Sequence, residues 1–462
     1  MNDVNTAVLS STTRVSPSAD YYAALKSCGA AIEERYRRAT PRSIEAFRRA
    51  STVFPGGYTR DAVMRNPHPT FVERAHGTQM FDVDGRALTD FWFNATSLPL
   101  GHAHPAVVAA IGAQARRGTA YFAPTLHEVE HAESLLERIP CGERIRFANS
   151  GSEAVMMAVR FARAHRRRPQ VVKFEGSYHG SYDDVSWSVS PNLAEVGAHD
   201  APNAVAETAG LAGSLGRVAV LPFNDAAVLR AHVEKQHDAI AALLIEPMAN
   251  RIGLVMPDRA FLDEARALCD RFGIVLVFDE VIAFRVGYHG ASGQVGVTPD
   301  VVTLGKIIGG GFAVGAVAGR ADILDLSSPT EAHRVTHAGT FNGNPMMAVA
   351  GHATIEQLTP TVFDRLAELG EYARTRLANV VDGLPLQITG AGSLFKITAT
   401  AKRIRNYRDA ATTDKRWESL CSLALLNEGF VLTPTLSGCV STQTTHEEVD
   451  AMIDAFGRIV NG

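Results

Sequence analysis

The chain has 462 residues, with 46% apolar and 20% charged residues, a balance that excludes disorder, collagen-like repeats and coiled coil as descriptions of the whole. Forty-five Lys and Arg against 49 Asp and Glu leave a net charge of −4, and no long basic stripe of the kind that grips a phosphate backbone is present, so nucleic acid is not an expected partner. The five cysteines are scattered without a CxxC pair, and no apolar run reaches the roughly 20 residues of a membrane span, so a reducing cytoplasm and no membrane are expected.

In chain order, residues 1–20 are polar and Ser/Thr-rich and are expected to be a disordered N-terminus. Tyr21 to Ala50 reads as helix, broken at Phe54-Pro55-Gly56-Gly57. Thr70 to Phe91 reads as hairpins, split by Ala75-His76-Gly77 and Asp82-Val83-Asp84-Gly85, and 21–100 is expected to form an arm or part of a small domain. Seven short β-branched runs follow: Arg144 to Ala148, Val171 to Phe174, Val218 to Leu221, Ala242 to Glu246, Ile274 to Asp279, Val301 to Leu304 and Val314 to Ala318. Helical lengths separate them, which predicts an α/β fold with a mostly parallel sheet over 101–345. The run Arg163 to Arg168 ends one such stretch and reads as a solvated helix terminus. Beyond 345 come helices at Met346 to Leu358, Phe363 to Val380 and around Glu418 to Asn427, and strands at Leu394 to Thr398 and Val431 to Thr433. Residues 346–462 are therefore expected to be a smaller α+β domain.

Ligands in open α/β sheets sit outside the carboxyl ends of the strands. Asp279 and Lys306 both fall at such ends, 27 residues apart, the lysine followed by Gly309-Gly310-Gly311. Taken singly, one is a helix cap and the other a turn lysine. Together they suit a cofactor that needs an amine for a Schiff base and an acid beside a pyridine nitrogen, which is pyridoxal phosphate. Asn149 to Ala154 is a small-residue turn opening a helix, able to offer free N–H groups to a phosphate or to act as an ordinary capping turn. Tyr178, in Glu175-Gly176-Ser177-Tyr178-His179-Gly180, lies at a further strand end where a ring can lie on a planar cofactor or simply fill the core.

These residues, with Phe54 to Gly57, Leu100 to Pro105, Glu246-Pro247, Phe284-Arg285-Val286 and Gly339 to Pro345, resemble the class-III aminotransferases among the fold-type-I pyridoxal-phosphate enzymes. The likeness spans residues 45–350 and is strongest to the subgroup of glutamate-1-semialdehyde aminomutase and the β-amino-acid aminotransferases. It implies a large domain with a seven-stranded sheet, a smaller α+β domain and a homodimer with shared sites. It implies that Lys306 carries the cofactor and moves the proton, Asp279 pairs the pyridine nitrogen, and Tyr178 and Val281 cover the two ring faces. Gly151 and Ser152 are implied to hold the phosphate, with Ser150 and His179 nearby, Asn224 close to the ring oxygen and Thr340 reaching the other subunit's phosphate. Arg60 matches a carboxylate-binding arginine, while Thr435 stands where a second is expected. Ala95 replaces the aminomutases' Trp, and Leu432 to Ser437 lacks their acidic residue. The expected activity is transamination between an amine or amino-acid donor and a keto or aldehyde acceptor, with an intramolecular aminomutase as the alternative.

A competing segment, His127-Glu128-Val129-Glu130-His131, has the H-E-x-x-H spacing of zinc hydrolases, a remote alternative here. No third ligand follows at a familiar interval, and the stretch reads as a solvated helix. Gly305-Lys306 is not a phosphate-binding P-loop, because Ile307 stands in place of Ser/Thr.

Overall fold

A computed structural model describes residues 19–211 and 216–461, so the expected disordered N-terminus falls almost wholly outside the described residues. Three sheets organise the described residues. The first joins β1 (Val72–His76), β2 (Gln79–Asp82) and β3 (Ala87–Asp90) as the expected antiparallel ribbon. The second contains β4 (Arg144–Ala148), β5 (Gln170–Phe174), β6 (Val218–Leu221), β7 (Ile240–Ile245), β8 (Val275–Asp279), β9 (Val301–Gly305) and β10 (Gly315–Gly319). The third contains β11 (Gln387–Thr389), β12 (Leu394–Thr398) and β14 (Ser437–Cys439), while β13 (Phe430–Val431) returns to pair in parallel with β3.

The seven-stranded sheet runs β4-β10-β9-β8-β7-β5-β6 and is parallel except for β10, antiparallel to both neighbours. Its strands coincide with the β-branched runs, each within two residues. Central β7 and β8 are buried at every position, as strands must be when helices cover both faces. The helix Gly151–Arg166 covers one face through Val155, Ala158, Val159 and Ala162, and Arg259–Phe272 covers the other through Phe261, Leu262, Ala265 and Leu268.

Two readings need correction. Tyr21 to Ala50 is not one helix but three, Ala19–Ser27, Gly29–Ala39 and Pro41–Ala50. Pro41 lacks an N–H and cannot continue a helix, yet suits the first turn of a new one. The basic run Arg163 to Arg168 is less solvated than expected. Arg163 pairs with Asp184 and Arg168 donates to the carbonyl of Phe272 at 3.0 Å, so both side chains tie the helix end to neighbouring strands and loops.

Candidate active site

Because β9, β8, β7 and β5 are adjacent and parallel, their carboxyl ends deliver Lys306, Asp279, Glu246 and the loop Glu175 to Gly180 to one edge of the sheet. A cavity of about 410 Å³ opens there. Its lining includes Lys306, Asp279, Val281, Tyr178, His179 and the turn Ser150 to Ser152. Arg60, Asn94, Ala95 and Glu246 also line it.

Asp279 is the last residue of β8 and 6% exposed. One carboxylate oxygen accepts from the Val281 N–H and the Thr303 hydroxyl, each at 3.1 Å; the register that sets Asp279 opposite Thr303 makes the second bond local. The other oxygen meets His179 Nδ1 at 2.8 Å, so the ring carries its proton on Nδ1 and leaves Nε2 as an acceptor. Nε2 is buried and has no protein partner among the described residues. Burial holds His179 below its ordinary pKa, with the Asp279 carboxylate opposing that shift.

Lys306 follows β9 in the left-handed region at φ +50°, a conformation costing a non-glycine residue roughly 1 kcal/mol or more and common at functional sites. Burial pushes its amine below the usual lysine range, against the favourable charges of Asp279 and Glu246. Glu246 is buried and its carboxyl is pushed up to about 8, by burial first and by the Asp279 charge second. An amine whose protonated form is disfavoured by burial, close to carboxyl groups, is the arrangement a carbonyl-binding lysine needs.

On the opposite wall, Ser150 caps the helix Gly151–Arg166, its hydroxyl accepting the Glu153 N–H at 3.1 Å. With the Glu153 N–H taken by that cap, Gly151 and Ser152, both in the cavity lining, supply the remaining first-turn N–H groups, where an anion is favoured. A Cβ on Gly151 would stand 2.9 Å from both methyls of Val281, and one on Gly180 would stand 2.5–2.7 Å from Ser152, so both glycines keep this cradle open. Tyr178 is 37% exposed; its hydroxyl contacts Ser181 at 3.1 Å and Arg251 lies over its ring at 4.6 Å.

Another side of the cavity carries a strained turn. Phe93, Asn94, Ala95 and Thr96 all have positive φ. Asp90 accepts from the N–H groups of Trp92 and Phe93 on one flank, and buried Arg285 donates to the Thr96 carbonyl at 2.6 Å on the other. Arg60 donates to Asn94 at 3.1 Å and is exposed.

Two expected site residues lie elsewhere. Asn224 is turned away from the cavity: its amide donates to the Arg405 carbonyl at 3.0 Å and accepts from the Asp258 N–H at 2.8 Å, so it pins a loop instead of facing a ring oxygen. Thr340, expected at the other subunit's phosphate, is exposed and lies outside this chain's own cavity. Glu246, Asn94 and Ser97 line the site without having been singled out for a role. Glu246 was findable, since it ends an apolar run as Asp279 does; Asn94 carried no periodic signal.

The competing H-E-x-x-H segment lies on the helix Leu126–Leu136. Glu128 is engaged with Thr125 in a reciprocal cap. His131 is not solvated but fully buried: it contacts the Ile308 carbonyl at 2.8 Å and stacks on Phe147. Among the described residues no group of three or more His, Cys, Asp or Glu is placed to hold a metal ion.

The family model described as aminotransferase class-III matches residues 61–460. The glutamate-1-semialdehyde 2,1-aminomutase of Methanothermobacter thermautotrophicus is 39% identical over 426 residues, covering 91% of this chain and 99% of that protein. Among solved structures, an omega-transaminase from Sphaerobacter thermophilus is 41% identical with a TM-score of 0.86, covering 91% of this chain and 97% of that one. A transaminase with PLP bound is 36% identical with a TM-score of 0.83, over the same shares of the two chains.

Proposed function

The chain belongs to the class-III aminotransferases and is a pyridoxal-phosphate-dependent enzyme of fold type I, and from that premise we propose that it moves an amino group between an amine or amino-acid donor and a keto or aldehyde acceptor. The observation that carries the reading is one cavity whose lining brings together the buried Lys306 amine, the Asp279 carboxylate and the turn Ser150 to Ser152 at a helix N-terminus.

The residues present fit the cofactor. Lys306 would hold it covalently, Asp279 would keep the ring nitrogen protonated, Tyr178 and Val281 would cover the ring faces, and Ser150, Gly151 and Ser152 would receive the phosphate. When bound, pyridoxal phosphate supplies a carbonyl that takes up an amine and a ring that stabilises the carbanion formed next to it. Lys306 Nζ, held low in pKa by burial, takes the proton from the substrate carbon and returns it. His179 holds the Asp279 carboxylate in place through its Nδ1–H. Arg60 at the mouth suits a substrate carboxylate, for which a guanidinium offers paired donors.

The aminomutase reading is favoured by the Methanothermobacter relative. Against it stand Ala95, a small residue on the cavity wall, and the absence of an acidic side chain over Leu432 to Ser437. We further propose a homodimer in which Thr340 serves the partner's site, a cytoplasmic location, and a division into an arm over 21–100, a cofactor-binding domain over 101–345 and a small domain over 346–462. No helix among the described residues is long and apolar enough to cross a membrane.

The test is an absorption spectrum of the purified protein with a panel of amines and amino acids. A visible band that bleaches with a donor and returns with a keto acid supports transamination; conversion within one substrate, without an acceptor, supports the aminomutase. Lys306→Ala is expected to abolish turnover, and appreciable amino transfer by that variant would refute the assignment.

A further inference from the structure

Lys173 is the fourth residue of β5 and has no exposed surface. Its Nζ donates to the carbonyls of Ser177 at 3.1 Å, Val185 at 3.0 Å and Trp187. An ammonium has three donors, so these acceptors use all of them, and no carboxylate bonds to it directly. Burial pushes its amine below the usual lysine range; the charges of Glu207 and Glu246 oppose that shift from further off and Arg251 adds to it. Keeping a lysine fully buried between Val172 and Phe174 costs desolvation, and the geometry shows what is obtained: three points of one loop are drawn onto a single centre.

That loop is the wall of the cavity. The Ser177 carbonyl bonded by Lys173 belongs to the peptide unit whose other end is the Tyr178 N–H, so the bond acts directly on the plane that leads into Tyr178. The peptide is thus held at its carbonyl end by a buried side chain of β5. The direction in which the Tyr178 ring and the His179 imidazole leave the backbone follows from the orientation of that plane.

We propose that Lys173 is a positioning residue for the cofactor site: by gathering the carbonyls of Ser177, Val185 and Trp187 it sets the peptide plane from which Tyr178 and His179 project into the cavity. The inference rests on the reading of Tyr178 and His179 as walls of the pyridoxal-phosphate site. It assigns Lys173 no contact with the cofactor or substrate.

The experiment compares wild type with Lys173→Met. Pyridoxal phosphate is titrated onto the apoenzyme, the visible circular dichroism of the bound cofactor is recorded, and borohydride reduction followed by peptide mapping locates the attachment. In the wild type the label is expected at Lys306; a label elsewhere would overturn the site itself. In Lys173→Met the label is expected to stay on Lys306, while cofactor affinity falls about tenfold, the scale of losing hydrogen bonds from a charged donor, and the dichroic band weakens. A variant that melts earlier but binds with wild-type affinity and dichroism would show that Lys173 only supports the fold, and would overturn the proposal. Should Lys173→Met fail to fold, Lys173→Gln decides, because its amide keeps two donors. A weakened affinity and band in that variant support the role, and wild-type values overturn it.

Discussion

Replacing Gly180 by alanine tests whether the loop after β5 and the turn before the helix Gly151–Arg166 form one cradle. Gly180 has φ +103°, and a Cβ there would lie 2.5 Å from the Ser152 hydroxyl, 2.6 Å from Ser152 Cα and 2.7 Å from Ser152 Cβ. The second of these clashes is with the main chain, and rotating a side chain cannot relieve it. The dihedral alone costs an L-residue about 1–2 kcal/mol, and overpacking of this kind adds about 1–3 kcal/mol, so the expected loss is about 2–5 kcal/mol. Part of it is escaped by pushing the Tyr178 to Ser181 loop away from Ser152, which spoils the proposed phosphate cradle. Gly85→Ala is the matched control: φ is +86° and nothing lies within 4 Å of the new Cβ, so only the dihedral term applies. Urea unfolding followed by circular dichroism gives the stability difference, and titration of the apoenzyme with pyridoxal phosphate gives the affinity. Gly180→Ala is expected to lose at least about 1 kcal/mol more than Gly85→Ala and to bind the cofactor several-fold more weakly. Equal stability losses with wild-type affinity would refute the cradle.

Arg285→Leu strips donors from the Thr96 and Val440 carbonyls and the Ser393 hydroxyl, all buried, and at about 1–3 kcal/mol per orphaned acceptor, less the guanidinium desolvation recovered, a net loss of about 2–4 kcal/mol is expected. Because Thr96 anchors the Asn94 and Ala95 turn, the KM for the donor should rise as well, and an unchanged KM would separate that turn from the substrate. Burial lowers the His131 pKa to about 4, so the unfolded chain takes up a proton near 6.5 that the folded chain refuses. Its contribution is complete above about pH 6.5 and is lost as pH falls towards 4, by roughly 3 kcal/mol; His131→Phe should flatten that part of a stability-versus-pH curve measured by urea midpoints. Asn224→Ala should cost about 1–2 kcal/mol in stability and leave cofactor affinity within twofold, since both partners of the amide are backbone groups outside the cavity. A large loss of cofactor binding would return Asn224 to the site.

The β-branched runs were enough to place every strand of the large sheet, because a strand covered on both faces must be apolar at each position, as β7 and β8 are. Once strands are placed, their carboxyl ends are known, and Lys306, Asp279 and Tyr178 stand out as chemistry-bearing residues at those ends. Local sequence does not state which strand lies beside which. The order β9-β8-β7-β5 is a tertiary outcome, and it alone brings Glu246 alongside Asp279 and sends Asn224, on the edge beyond β6, to another loop. The left-handed turn at Phe93 to Thr96 is equally invisible to periodicity, because its four residues are held by Asp90 and by Arg285, the latter 189 positions from Thr96. His131 has the spacing of a metal ligand and the polarity of a surface residue, yet it is buried because the helix that bears it packs against Phe147 and the Ile308 carbonyl. Pattern within a segment determined the elements and the catalytic candidates; contacts between distant segments decided which side chains share the cavity.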